Sequence, residues 1–274
     1  MRLNDRSSDI VAEYKPLLKG VSYLTLASFS CLLYSAFTPP LLTSEMAARL
    51  PLVGGLPGDL PGYWARFALS FLLMGLAPAL LALAFRERPA ELGVNFRTPI
   101  LRKAWYWVLV LLCVFVGAFG ATDSGLGSFY PYSRDLIGRV SEHGLGPFFG
   151  HYAAYFFLYY APWEFFFRGF LLFPFLTAAE KILGSGQRLD SDSGKDAERE
   201  SGMVFAAIVF FQTIPSTMIH FGHPLSELAG AVVGGIAFGL LAWKTRSILP
   251  GLFLHAAMGL GTDLFIVCKG AGYI

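Results

Sequence analysis

Apolar residues run in blocks of about twenty, separated by short breaks rich in Pro, Gly and charge, and blocks of that length cross hydrocarbon as helices. They predict seven spans: Val21–Leu42, Tyr63–Phe85, Ala104–Ala121, Phe149–Leu176, Met203–Ile219, Leu228–Trp243 and Ile248–Val267. Hydrocarbon offers no partner to a free backbone N–H or C=O, so only helices and closed barrels span it, and long unbroken apolar runs select helices. The amphipathic, aromatic-flanked stretch Tyr132–Val140 predicts a further helix lying in the interface. The expected fold is all-α, a polytopic transmembrane helical bundle. It forms one membrane domain, in which residues 1–148 give a tail and three spans and residues 149–274 a core carrying the polar motifs.

Composition sharpens this picture. Hydrophobic residues make up 55% of the 274 and charged residues 15%, against about a quarter charged in an ordinary soluble domain. Mean hydropathy is +0.55. So few charges cannot cover a water-exposed surface, which excludes disorder and nucleic-acid binding. Cys31, Cys113 and Cys268 lie in apolar stretches without metal-ligand spacing, so they read as small buried hydrophobes rather than a disulfide scaffold.

Lys and Arg concentrate in every second loop. Arg2, Arg6, Lys15 and Lys19 precede the first span; Arg86, Arg88, Arg97, Arg102 and Lys103 follow the second. Lys181, Arg188, Lys195 and Arg199 follow the fourth, and Lys244 and Arg246 the sixth. The positive-inside bias then predicts a cytoplasmic N-terminus. The first span has a long basic flank and no small-x-small site, so it is expected to stay as a span rather than be cleaved. Gly184–Gly202, rich in Ser, Asp, Gly and Lys, predicts a flexible cytoplasmic loop. No internal repeat is visible.

A charge at mid-membrane costs at least about 3 kcal/mol, so each one asks for a reason. Glu164 and Arg168, in Pro162-Trp163-Glu164-Phe165-Phe166-Phe167-Arg168-Gly169, are four apart and share a helix face. The bland reading is a self-neutralising pair. The functional one is a glutamate kept ionised, as a general base must be. The end of the fifth span carries Ser216, His220, His223 and Glu227, broken by Pro215, Gly222 and Pro224, which suggests a hydrated pocket near the outer face. In the last span His255 and Thr262 share a face, with Asp263 rotated by about 80°. Straight helices would leave Glu164, His220 and His255 at different depths. Gly230, Gly234, Gly235 and Gly239 are spaced for close helix packing.

These three segments, in this order, resemble the CAAX protease and bacteriocin-processing (Abi) family of glutamate-dependent intramembrane endopeptidases, over roughly Phe149 to Val267. Glu164, Arg168 and Gly169 match the second glutamate, the arginine and the following glycine of its Glu-Glu-x-x-x-Arg helix. His220 and His255 match its two histidine motifs. Three positions depart from the pattern. Trp163 stands at the first glutamate, to which the family's catalytic role is usually assigned. Ser216 replaces the Phe four residues before His220, and Gly259 replaces the Asn four after His255. The wording resembles a divergent bacterial branch similar to myxosortase-like sorting proteases, implying an integral protein of the bacterial inner (cytoplasmic) membrane.

The resemblance implies peptide hydrolysis in a membrane cavity, with a membrane-associated or exported protein or peptide as substrate, the lipid bilayer as surroundings, and no cofactor. In that reading Glu164 is the general base, His220 orients the water, and His255 with Thr262 donates to the oxyanion. Arg168 fixes Glu164, while His223 and Glu227 shape the mouth of the cavity. Two other readings remain open. His220, His223 and Glu227 could hold Zn²⁺ in a metalloprotease, although Pro224 interrupts the helix such a site needs. Broken helices with buried charges also mark transporters, for which an inverted repeat would be expected.

Overall fold

The computed structural model describes residues 3–37, 44–51, 55–131, 133–186 and 194–274, and every regular element among them is helical. The main helices are α1 Leu3–Phe37, α2 Leu60–Ala84, α3 Ala104–Gly120, α4 Asp135–His143, α5 over residues 146–170, α6 Phe173–Gly186, α7 Gly194–Met218, α8 Leu225–Thr245 and α9 Leu249–Gly270. Five stretches are long and apolar enough to cross a membrane: Tyr14–Phe37, Leu60–Ala84, Ser201–Met218, Leu225–Thr245 and Leu249–Gly270. Ala104–Gly120 is a shorter apolar helix.

The expected span Phe149–Leu176 needs correction. Its helix ends at Phe170, turns at residues 171–172, and continues as the separate α6. It is the most enclosed helix of the bundle, burying Trp163, Glu164, Phe166, Phe167, Arg168 and Phe170. Two π-helical turns interrupt it, at Phe156–Tyr160 and Phe165–Phe170. The first lies directly before Pro162, whose ring clashes with the carbonyl four residues back in a regular α-helix, and a wider turn relieves that clash. The Gly184–Gly202 loop is also corrected. Helix runs to Gly186 and resumes at Gly194, because the helix-forming run Lys195-Asp196-Ala197-Glu198-Arg199-Glu200 extends α7 beyond its apolar part. Residues 187–193, residues 38–42 of the first expected span and Tyr132 of the interfacial stretch lie outside the described residues. The rest of that stretch forms α4, which buries Leu136 and Val140 against Phe148 and Val267.

Surface and interior are inverted relative to a soluble protein. Val108, Leu111, Leu112, Phe115 and Phe119 of α3 point outward, while Gln212, Thr213, Glu164, Arg168 and Asp263 are buried. Lipid tails are as apolar as the core, so association rests on close packing and internal hydrogen bonds rather than on removal from water. The tightest approach joins α3 to α9. A Cβ on Gly117 would lie 1.9 Å from the Met258 carbonyl oxygen, and one on Gly261 would lie 1.9 Å from that of Val114. Gly235 and Gly239 of α8 serve α7 in the same way, with a Cβ there meeting Thr213 and Gln212 at 2.6 and 2.7 Å, whereas Gly230 faces open space. An aromatic stack links the first helices to α5: Tyr23 lies on Phe170 at 4.1 Å, and Phe67 on Tyr155 at 4.8 Å.

The basic segments meet at one end of the bundle. Lys19 pairs with Glu87 and Arg246 with Glu180, and the Ile248 N–H donates to the Gly93 carbonyl. The opposite end is tied by Asp59, which accepts from Ser133 and from the Arg134 N–H, and by Ser226 donating to Asp123.

Candidate active site

Glu164 sits on α5 between the two π-helical turns and is completely buried. Its Oε1 accepts a hydrogen bond of 2.7 Å from Nδ1 of His255 on α9 and lies 3.3 Å from Nη1 of Arg168, one turn along α5. The Arg168 guanidinium packs between the rings of Phe167 and Phe238. Glu164 Oε2 and Arg168 Nε have no hydrogen-bond partner in the protein, so the pair is only partly satisfied. Such a pair contributes little net stability in a dry interior, yet losing one member leaves the other as an uncompensated charge.

A second cluster lies where α7 ends and α8 begins. His220 Nδ1 donates to the Ser216 carbonyl at 2.7 Å, which requires the proton on Nδ1 and leaves Nε2 of the neutral ring as an acceptor. Glu227 Oε1 accepts from His223 Nδ1 at 2.9 Å and from the Tyr130 hydroxyl at 2.7 Å, and stands 4.0 Å from His220 Nε2. Gly222, at φ +95°, takes the left-handed conformation that folds this turn back before Pro224 opens α8.

Both clusters border one cavity of about 330 Å³, lined among others by Tyr160, Arg168, His220, Glu227 and His255. The depth difference expected from straight spans is removed by the end of α7 at Met218, after which the chain turns back and carries His220 to the cavity. The structure brings Glu164 into contact with His255, not with His220. The Thr262 hydroxyl donates to the backbone carbonyls of Gly117 and Met258, both at 3.1 Å, where it fastens α3 to α9. Asp263 also lines the cavity, with Oδ1 unpartnered. Among the described residues, no group of three His, Cys, Asp or Glu side chains is arranged to hold a metal ion.

Burial holds the His220 imidazole down at about 4, against the pull of the Ser216 carbonyl and Glu227 and with the push of His223 and His255, the charged or titratable groups that face it. The ring is therefore neutral at pH 7 and gains its proton only on strong acidification. A site-resolved ¹⁵N titration should find it neutral down to pH 5. A midpoint near the ordinary value of about 6.5 would mean that the ring is solvated rather than enclosed.

Sequence reasoning missed Tyr160. A Cβ on Gly259 would lie 1.7 Å from its hydroxyl, so the bare glycine makes room for a phenol O–H against α9, one turn beyond His255. The Tyr160 and His255 rings meet edge to face at 4.9 Å. The spacing Tyr160, Glu164, Arg168 was the available clue. At Trp163, where the resemblance expects a glutamate, the indole stacks on Tyr159 and stands edge-on to His220 at 5.4 Å, forming a wall of the cavity.

Residues 147–261 match the family model described as type II CAAX prenyl endopeptidase Rce1-like. The matched segment contains Glu164, Arg168, His220, Glu227 and His255. No curated protein and no solved structure matches the chain.

Proposed function

Because residues 147–261 match the type II CAAX prenyl endopeptidase Rce1-like family model, we propose that the cavity hydrolyses a peptide bond in a membrane-anchored or exported protein. The observation that carries this reading is the 2.7 Å contact between Glu164 and His255, which joins two helices at the wall of a cavity bordered on another side by His220 and Glu227. One group of the cavity can thus hold a carbonyl oxygen while another faces a water.

The roles follow from what each atom touches. His255, fixed through Nδ1, directs Nε2 to the substrate carbonyl, where an N–H donates to the oxyanion as negative charge develops there. The Tyr160 hydroxyl supplies a neighbouring O–H. Arg168, 3.3 Å away, faces the Glu164 carboxylate with the opposite charge beside His255. Glu164 itself is fully enclosed and does not border the cavity, so the general-base role expected from sequence passes to a group that does. Its own work is to position His255.

The gathering of basic segments at one end supports a cytoplasmic N-terminus under the positive-inside bias, in a bacterial inner membrane. The His220–Glu227 end then opens outward, toward exported substrates. The test is to map peptide ends by mass spectrometry in membranes of the source organism with and without the gene. A set of ends that disappears on deletion and returns on adding the purified protein is the expected result. No gene-dependent end, with solute flux into sealed vesicles instead, would replace the protease reading with a transporter.

A further inference from the structure

Glu227 combines three properties that no other carboxylate at the cavity shares. Its Oε1 is fixed by two donors from separate segments, the His223 ring and the Tyr130 hydroxyl, so the carboxylate is held in one orientation. Its Oε2 is buried without a hydrogen-bond partner. His220 Nε2, an acceptor in the neutral ring, stands 4.0 Å from Oε1. That separation is too long for a direct hydrogen bond and suits a single water that donates one proton to each. Asp263, the other carboxylate of the lining, has no such imidazole beside it, and Glu164 is sealed behind His255 and Arg168.

A purely structural role would be a His223–Glu227 pair, four residues apart, that caps the start of α8, where a carboxylate is also favoured by the helix dipole. That role uses Oε1 alone. It leaves the free face of His220 without an explanation, although His220 and Glu227 both line the cavity that holds His255.

We propose that Glu227 is the general base of this protease, deprotonating a water that it holds together with His220. The inference rests on the protease reading above and deepens it. In the step, Glu227 takes one proton from the water while the water oxygen bonds to the substrate carbonyl carbon. The C=O π pair moves to the oxygen held by His255, and His220 Nε2 keeps the second water proton in place. Collapse of the tetrahedral species re-forms C=O and breaks C–N, and the proton on Glu227 passes to the departing nitrogen. One water and one peptide become one carboxylic acid and one amine, and no further reactant is needed.

The test uses the full-length protein. Wild type, E227Q, E227D and H223Q are each added to membranes from cells lacking the gene, and the appearance of new peptide ends is timed by mass spectrometry. E227Q is expected to lower the rate by about 10²–10⁴-fold, the usual loss for a missing acid–base group, with its thermal unfolding midpoint unchanged. E227D should regain part of the rate and move the acidic limb of the pH profile, which a capping role would not do. H223Q should shift the same limb while retaining more activity than E227Q. Should E227Q fail to fold, the E227D and H223Q profiles decide: limbs unmoved in both overturn the inference. New ends appearing with E227Q as fast as with wild type overturn the inference and leave the protease reading in place. No new ends with wild type overturn both.

Discussion

Replacing Glu164 with leucine should destabilise the protein by about 3–5 kcal/mol, because the Arg168 guanidinium would stay in the core with its charge uncompensated. The carboxylate has no exposure and Arg168 almost none, so neither water nor a rotamer change can take over from the lost partner. The double variant E164L/R168M removes both charges while keeping similar volume, and should recover most of the loss. It should remain inactive, since His255 would have lost the acceptor that orients it. Unfolding midpoints in detergent for the two single variants and the double give the comparison. An E164L protein as stable as wild type would mean that this carboxylate does not carry the charge of Arg168.

His255→Ala should behave differently. Its side chain is 24% exposed, facing the cavity, and its removal leaves the Glu164–Arg168 pair intact. The unfolding midpoint should therefore fall less than in E164L, by the loss of one hydrogen bond to a buried carboxylate, about 1–3 kcal/mol. The turnover rate should fall by about 10²–10³-fold, the loss typical of one oxyanion donor, with a smaller change in KM because the hydrogen bond strengthens only as charge develops. Turnover equal to wild type would remove His255 from the reaction.

The parts of this account that were legible in the sequence are those carried by local spacing. Apolar block length placed the helices, and the four-residue interval put Glu164 and Arg168 on one face. The expense of a buried charge singled out His255, which the structure sets against Glu164. What could not be read depended on contacts across long separations. Nothing in a hydrophobicity pattern marks the π-helical turns on either side of Glu164. The notch at Gly259 becomes meaningful only when Tyr160, on another helix, is seen to fill it. Glu227 read as a mouth residue because its relation to His220 is set by the tight turn at Gly222 rather than by helical spacing. The closest helix pair was also missed: the glycines of α8 form a dense series that draws the eye, whereas Gly117 and Gly261 are 144 residues apart and meet only in space. In each case one partner was visible as an oddity, and the other was recognised only once the fold had brought it near.

Trp163 illustrates the same point from the other side. Its aromatic ring fits the surrounding stack of Tyr34, Tyr159 and Phe167, so packing explains the residue fully. On α8, a carboxylate, Glu227, stands 4.0 Å from His220 Nε2.

The most direct measurement is an experimental structure of the full-length protein bound to a peptide phosphinate, whose two phosphinyl oxygens mimic the oxyanion and the attacking water. One oxygen should lie within hydrogen-bond distance of His255 Nε2, and the other between Glu227 and His220. A phosphinate seated outside this cavity, or inside it with Glu227 and His220 turned away, would contradict the account.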